Sequence, residues 1–197
     1  MSGGYAAVAL TDGVRAAEAR LGSAPALARL PGHGPAAGGA EPRDALTEFE
    51  QAFVADRDGF YLASTSDTGW PYVQFRGGSP GFVHSPDEHT LTWAEFRGNR
   101  QYISTGNIDG DDRVSLFFMD YPDQARLKVF GRARFTDARE DPAAARALVV
   151  PGDRGVVEQV VTVTVVAYDW NCHQHITPRY SLAELRGTDR VPRPDVR

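Results

Sequence analysis

The densest run of residues able to do chemistry is Thr90–Asn107, TLTWAEFRGNRQYISTGN. Alternation carries a strand to Trp93-Ala94, Arg97-Gly98 makes a turn, and Asn99 is a good cap for a helix with Arg100 and Gln101 in its first turn. Backbone N–H groups at a helix start lack partners and attract anions. Cations are disfavoured there by the helix dipole. Arg100, with Arg97 close by, therefore makes sense if a phosphate supplies the opposite charge. The competing reading is an arginine pair that is solvated or bound to Glu95.

Three other segments carry weaker signals. In Trp70–Gly78, WPYVQFRGG, Tyr72, Gln74 and Arg76 alternate with Val73 and Phe75, giving one polar strand face. Gly77-Gly78 permits close backbone approach to a flat ligand; alternatively Arg76 simply faces solvent. Arg126 and Lys128 share a strand face, either a polar cavity wall or the outside. Asp169–Tyr180, DWNCHQHITPRY, brings Cys172, His173 and His175 close together, but no second ligand cluster accompanies them. No metal site is expected, and Cys172 has no orienting constellation for nucleophilic work. A segment of this kind after a strand more often covers a pocket or an interface. GxSxG, Walker, GxGxxG and HExxH patterns are absent, so hydrolase, nucleoside-triphosphate and dinucleotide-fold readings have no support.

The elements that must position these residues follow from patterning. The 197 residues are 42% hydrophobic, enough for a core. The formal net charge of -5 argues against general affinity for nucleic acid or anionic membrane. One cysteine excludes a disulfide framework, and no 18-residue apolar run or basic leader is present, so a soluble protein of the reducing cytoplasm is expected. Residues 1–41 read as an N-terminal arm: Thr11-Asp12 caps a helix to about Leu21, with Val14, Ala17 and Leu21 as a stripe and Gly22 ending it, and an Ala/Gly/Pro-rich linker follows. The arm is either a mobile terminus or a lid or dimer-wrapping segment. A helix is expected from Pro42 or Arg43 to Ala55, with Leu46, Phe49 and Phe53 on its inner face.

Period-two patterns then predict strands at Phe60–Ser66, Tyr72–Arg76, Gly81–His84, His89–Phe96, Arg113–Asp120, Arg126–Phe135 and Val156–Tyr168. Helices are expected at Asn99–Gly106, with Tyr102 and Ile103 inward, and at Asp141–Val149, with a helical turn at Leu182–Leu185. The fold class expected is mainly β with peripheral helices (α+β), a six-stranded antiparallel barrel, closed or nearly so. The domain spans 42–186, and 187–197 form a charged, Pro-containing tail.

The ordered set YVQFRGG, TLTWAEFRGNRQYIS, DDRVSLFF and RLKVFGRAR resembles the pyridoxamine 5'-phosphate oxidase-like family over about residues 45–180. That resemblance implies an FMN-binding split β-barrel and a homodimer with flavin at the subunit interface. It implies that the backbone of Val73, Gln74 and Phe75 lies along the isoalloxazine, with Arg76 near the ring. It places Trp93-Ala94 where the family has a Tyr-Thr pair, and Asn99-Arg100-Gln101 at the phosphate, Gln101 standing for a lysine. Arg126 stands where the family uses a Gln to reach flavin from the partner subunit. Trp170, Gln174 and His175 are positioned to close the pocket. The C-terminal arginine segment that holds substrate phosphate in the true oxidases is not found. The implied function is an FMN-dependent oxidoreductase acting on a small molecule. The alternatives are a non-catalytic flavin, deazaflavin (F420) or haem binding or sensor protein, or a barrel interaction module without cofactor.

Overall fold

The computed structural model describes residues 3–29 and 41–187. The linker portion 30–40 and the tail 188–197 lie outside the described residues, as do residues 1–2.

Seven strands form one antiparallel sheet: β1 (Gly59–Thr65), β2 (Pro71–Gly77), β3 (His84–Asp87), β4 (Thr90–Phe96), β5 (Arg113–Asp120), β6 (Ala125–Asp137) and β7 (Val157–Trp170). Their order is β2-β1-β5-β6-β7-β4-β3. The sheet has seven strands, one for each period-two segment, against the six expected for the barrel; the third is a short edge strand, His84–Asp87, beside β4. That strand lies further along than Gly81–His84. Phe82 and Val83 are buried as a loop plug instead, and Pro86 is tolerated because an edge strand need not donate on both sides.

The sheet curls so that β1 and β4 meet although three strands, β5, β6 and β7, separate their places. Phe60 of β1 packs edge-on against Trp93 of β4 at 5.1 Å. No ladder joins β2 to β3 or β4 among the described residues, so the barrel is split there. Its interior is the inward row of each strand: Phe60 and Leu62; Leu91 and Trp93; Val114, Leu116 and Phe118; Leu127 and Val129; Val161, Val163 and Val165. Burying each of these contributes roughly 1.5–3 kcal/mol. Gly131 sits at a bulge between β6 and β7, where an added Cβ would lie 2.4 Å from Val163 Cγ1 and 2.8 Å from the Thr164 carbonyl oxygen.

Helices plug the ends and one outer face. In chain order they are α1 (Gly3–Ala9), α2 (Asp12–Leu21), α3 (Ala24–Leu27), α4 (Glu48–Ala55), α5 (Ile103–Gly110), α6 (Pro142–Ala147) and α7 (Leu182–Gly187). Helix α4 begins six residues after Pro42 because Thr47 and Glu50 close a capping box, while 41–46 is held extended by Asp44 N–H to Val166 O and Leu46 N–H to Glu88 O. Its inward residues are Val54, Phe53 and Glu50, and Phe49 is 67% exposed, contrary to expectation.

Thr11 and Gly22 cap α2 as expected, yet α2 buries no residue and its Val14–Leu21 stripe stays exposed. Helix α1 was not anticipated: Tyr5 stacks on Phe130 at 4.8 Å, Lys128 lies over the Tyr5 ring, and Val166 and Ala167 complete the contact. Asp141 caps α6, its side chain accepting from the Ala143 and Ala144 N–H groups.

Candidate active site: a polar cavity at the split of the barrel

Strand β2 shows its polar side to the barrel and its apolar side to solvent. Tyr72, Gln74 and Arg76 are half-buried, whereas Val73 and Phe75 are 60% and 55% exposed. Such an inversion requires something polar inside. Facing β2 across the split is β4, whose inward row Leu91 and Trp93 ends in Glu95. Arg76 Nε lies 3.0 Å from Glu95 Oε2, which also accepts from the Trp93 indole Nε1 at 3.1 Å. The Arg76 Nε–H is buried and its geometry toward Glu95 falls short of a full hydrogen bond, so the contact is chiefly an ion pair. Burial pushes the Glu95 carboxyl above the ordinary glutamate range, against the pull of Arg76 and the Trp93 indole.

Above this pair the loop 97–102 and the start of α5 complete a cavity of about 200 Å³. Its walls include Gln74, Arg76, Glu95, Asn99, Arg100 and Gln101, together with Tyr102, the first turn of α5 and Glu158-Gln159 from β7. The structure therefore brings together five of the residues expected to bind a cofactor: Gln74, Arg76, Asn99, Arg100 and Gln101. The helix they belong to is displaced. Asn99 accepts the Gln101 N–H in a local turn, and Arg100 and Tyr102 take left-handed φ values of 62° and 52°, so helix hydrogen bonding starts only at Ile103. Tyr102 and Ile103 face outward, at 45% and 39% exposed, correcting their inward placement. The α5 end is held by buried Asn107, whose Nδ2 donates to Ser64 Oγ of β1 at 3.1 Å. Arg100 is exposed at the rim and Nε donates to Tyr102 Oη at 3.3 Å. Arg97 is bound to Glu158 at 2.7 Å, and that ion pair holds Glu158 below the usual carboxylate range.

A second cavity of about 190 Å³ lies on the other side of the Arg76–Glu95 pair, lined by Phe75, Gly77, Gly78, Phe82, Trp93, Ala94 and Phe96. Phe75, Trp93 and Ala94 border this one; Trp93 is 1% exposed and acts mainly as core. Val73 borders neither cavity. Its side chain belongs to an outward apolar row with Trp70, Phe75 and Tyr61.

Arg126, Trp170 and Gln174 do not line either cavity. Trp170 ends β7, eleven residues beyond Gln159, or about 36 Å along an extended strand. Its ring packs on Phe53 and Phe49, and Nε1 donates to Glu50 Oε1 at 2.8 Å, which makes it a staple for α4 and not a cover for the cavity. Gln174 is exposed in the following loop, and His175 there has a left-handed φ of 64°. Arg126 alternates with inward Leu127, so it points to the outside; with Arg76 it shares a buried Nε without a hydrogen-bond partner. No group of three metal-ligating side chains occurs among the described residues.

Glu95 is the site residue that sequence reasoning underused. Leu91, Trp93 and Glu95 follow one another at period two, so the strand pattern already puts a carboxylate on the buried row.

A split antiparallel barrel with a polar cavity, lined by both arginine and glutamate, beside a helix start defines the fold class. Residues 46–166 match the pyridoxamine 5'-phosphate oxidase family, and the chain belongs to that family. Among solved structures, HupZ from Group A Streptococcus is similar over 68% of this chain and 100% of its own, at 16% identity and a TM-score of 0.53. A candidate pyridoxamine 5'-phosphate oxidase from Lactobacillus delbrueckii matches 64% of this chain and 93% of its own, at 23% identity and a TM-score of 0.48. An F420 reductase matches 59% and 93%, at 16% identity and a TM-score of 0.42. At such identities the likeness is one of fold. No curated protein matches the chain.

Proposed function

We propose that the chain is an FMN-binding flavoprotein and an oxidoreductase acting on a small molecule in the cytoplasm. The observation that carries this reading is the Arg76 guanidinium: its side chain is 16% exposed, its Nε is anchored by Glu95, and it lines a cavity shared with Arg100 and the first turn of α5. A half-buried guanidinium whose terminal N–H groups make no hydrogen bond to the described residues suits a planar, carbonyl-edged ligand. The residues fit the group. Arg100, Gln101 and the α5 amides would hold the phosphate, and Arg76 would meet the ring edge.

A cavity of about 200 Å³ is smaller than the roughly 300–1,000 Å³ of sites that enclose a ligand within one chain. A second wall is therefore needed, and the exposed Trp70, Val73, Phe75 and Tyr61 row supplies a surface for it. We take the partner to be a second copy of the chain, with Arg126 on the outer face available to the partner's site. Bound flavin supplies electron or hydride transfer. The chain binds and orients the cofactor, excludes water through Phe75, Phe82 and Phe96, and sets the polar surroundings of the ring edge through Arg76.

The visible spectrum of purified protein, with mass analysis of what denaturation releases, tests this reading. A flavin band and released FMN are expected, with Arg100→Glu losing the flavin while its circular dichroism stays native. Colourless protein that takes up no FMN at micromolar concentration refutes it. FMN retained in full by Arg100→Glu refutes the phosphate assignment.

A further inference from the structure

The Arg76–Glu95 pair partitions the two cavities at the split, and both residues line both of them. The two side chains come from strands that are not hydrogen-bonded to each other. Their meeting is therefore set by the curl of the sheet and not by a ladder. The contacts of Glu95 are lopsided. Trp93 Nε1 and Arg76 Nε both approach Oε2, and among the described residues no hydrogen bond reaches Oε1. The carboxylate, its side chain 20% exposed, thus offers a spare acceptor to the cavity, next to a guanidinium whose terminal Nη groups make no hydrogen bond among the described residues. Gln74, the neighbour of Arg76 on the inward row of β2, has its Oε1 already taken by the Tyr72 hydroxyl, so Glu95 is the stronger acceptor at this end.

We infer that Glu95 is a specificity-determining residue of the cofactor site: it accepts a hydrogen bond from the ring N–H of a planar cyclic imide, while Arg76 donates to the carbonyl beside that N–H. The inference rests on the flavin reading and deepens it. An acceptor next to a donor is the complement of the pyrimidinedione edge, which presents N–H flanked by two carbonyls. Flavins and 5-deazaflavins both carry this edge; a haem does not. A lone arginine would attract any anion or carbonyl, whereas the added carboxylate rejects ligands that lack the N–H, because two acceptors would then face each other. It also keeps the pair neutral. The ring then meets a matched edge and not a net positive charge, and the site discriminates by hydrogen-bond pattern more than by charge.

The test uses the full-length protein and four ligands: FMN, 5-deaza-FMN and the N3-methyl form of each, with dissociation constants from fluorescence titration at about pH 8. N3-methylation removes the donor and leaves the phosphate and the ring intact. The wild type is expected to bind the parent at least about tenfold more tightly than its methylated form, the scale of one charge-assisted hydrogen bond. In Glu95→Gln, which keeps an acceptor for Trp93, the discrimination falls to within about threefold, and in Glu95→Ala it vanishes. The tighter of the two parents identifies the class of cofactor. Native circular dichroism of Glu95→Gln secures the comparison should Glu95→Ala not fold. Equal binding of methylated and parent ligands by the wild type, or an undiminished preference in Glu95→Gln, overturns the role of Glu95 and leaves the flavin reading standing. Failure of the wild type to bind any of the four overturns both.

Discussion

Replacing Trp170 by Phe separates a structural role from a cofactor role at one position. The variant keeps a ring for Phe53, 4.6 Å away, and Phe49, 5.3 Å away, but removes the Nε1 donor that reaches Glu50 Oε1 at 2.8 Å. Glu50 is only 6% exposed. Burial alone would raise its pKa; hydrogen bonds from Thr47 and Trp170 outweigh this and hold it below the ordinary value. Loss of a hydrogen bond to a charged group costs about 1.5–3 kcal/mol, and the smaller ring forfeits about 0.5–1 kcal/mol of burial. The sum, about 2–4 kcal/mol, lowers Tm by roughly 5–15 °C in a chain of this size.

The same chemistry fixes the pH dependence. A carboxyl depressed in the folded state contributes stability above its unfolded pKa and loses it as pH falls through the folded one. The gap between wild type and Trp170→Phe, read from urea unfolding at a series of pH values, is therefore full at pH 7 and narrows toward the burial part alone as the medium becomes acidic enough to protonate Glu50. A gap under about 1 kcal/mol at pH 7, or one that stays constant into acid, refutes the argument. Flavin content should match the wild type. Loss of flavin with stability unchanged would return Trp170 to the cofactor site.

Gly131→Ala is expected to destabilise by about 1–3 kcal/mol through its clash with Val163 and the Thr164 carbonyl; denaturant unfolding with an unchanged m-value checks it. Phe75→Asp places a charge in the exposed apolar row and should convert a dimer to monomer in light scattering, with native circular dichroism and weakened flavin retention. Tyr5→Ala removes the Phe130 stack and the Lys128 contact, and should expose the chain before residue 30 to limited proteolysis while the barrel resists it.

The strands were legible where one face is dry. In β5, Val114, Leu116 and Phe118 alternate with half-exposed residues and their boundaries follow directly; in β6, Leu127, Val129 and Gly131 do the same. The cap residues Thr11, Gly22 and Asp141 were equally readable, because capping is a local interaction. Legibility failed where tertiary contact decides. Asn99 can cap a helix or close its own turn, and the latter won, moving α5 to Ile103. The polar face of β2 was visible, but not that it points inward, which depends on the curl of the sheet bringing Glu95 opposite Arg76. Trp170 was placed over the pocket by the family resemblance and by its position after a strand. Its partner, Glu50, lies 120 residues away and nothing local announces it. Helix α1 has no cap signal, and its seat is tertiary: Phe130, Lys128, Val166 and Ala167.

The two left-handed residues of the loop before α5 bear on how this protein could change over time. Arg100 and Tyr102 each hold a conformation that costs of order 1 kcal/mol or more for a side chain other than glycine. Glycine at position 100 would relax the backbone and raise the melting point, and would discard the rim guanidinium with it. Selection for heat tolerance alone would drift toward that replacement, whereas selection that demands a bound ligand would hold the arginine in place. A deep mutational library scored twice, once for folding and once for ligand retention, should show the two rankings diverging most sharply at these two positions.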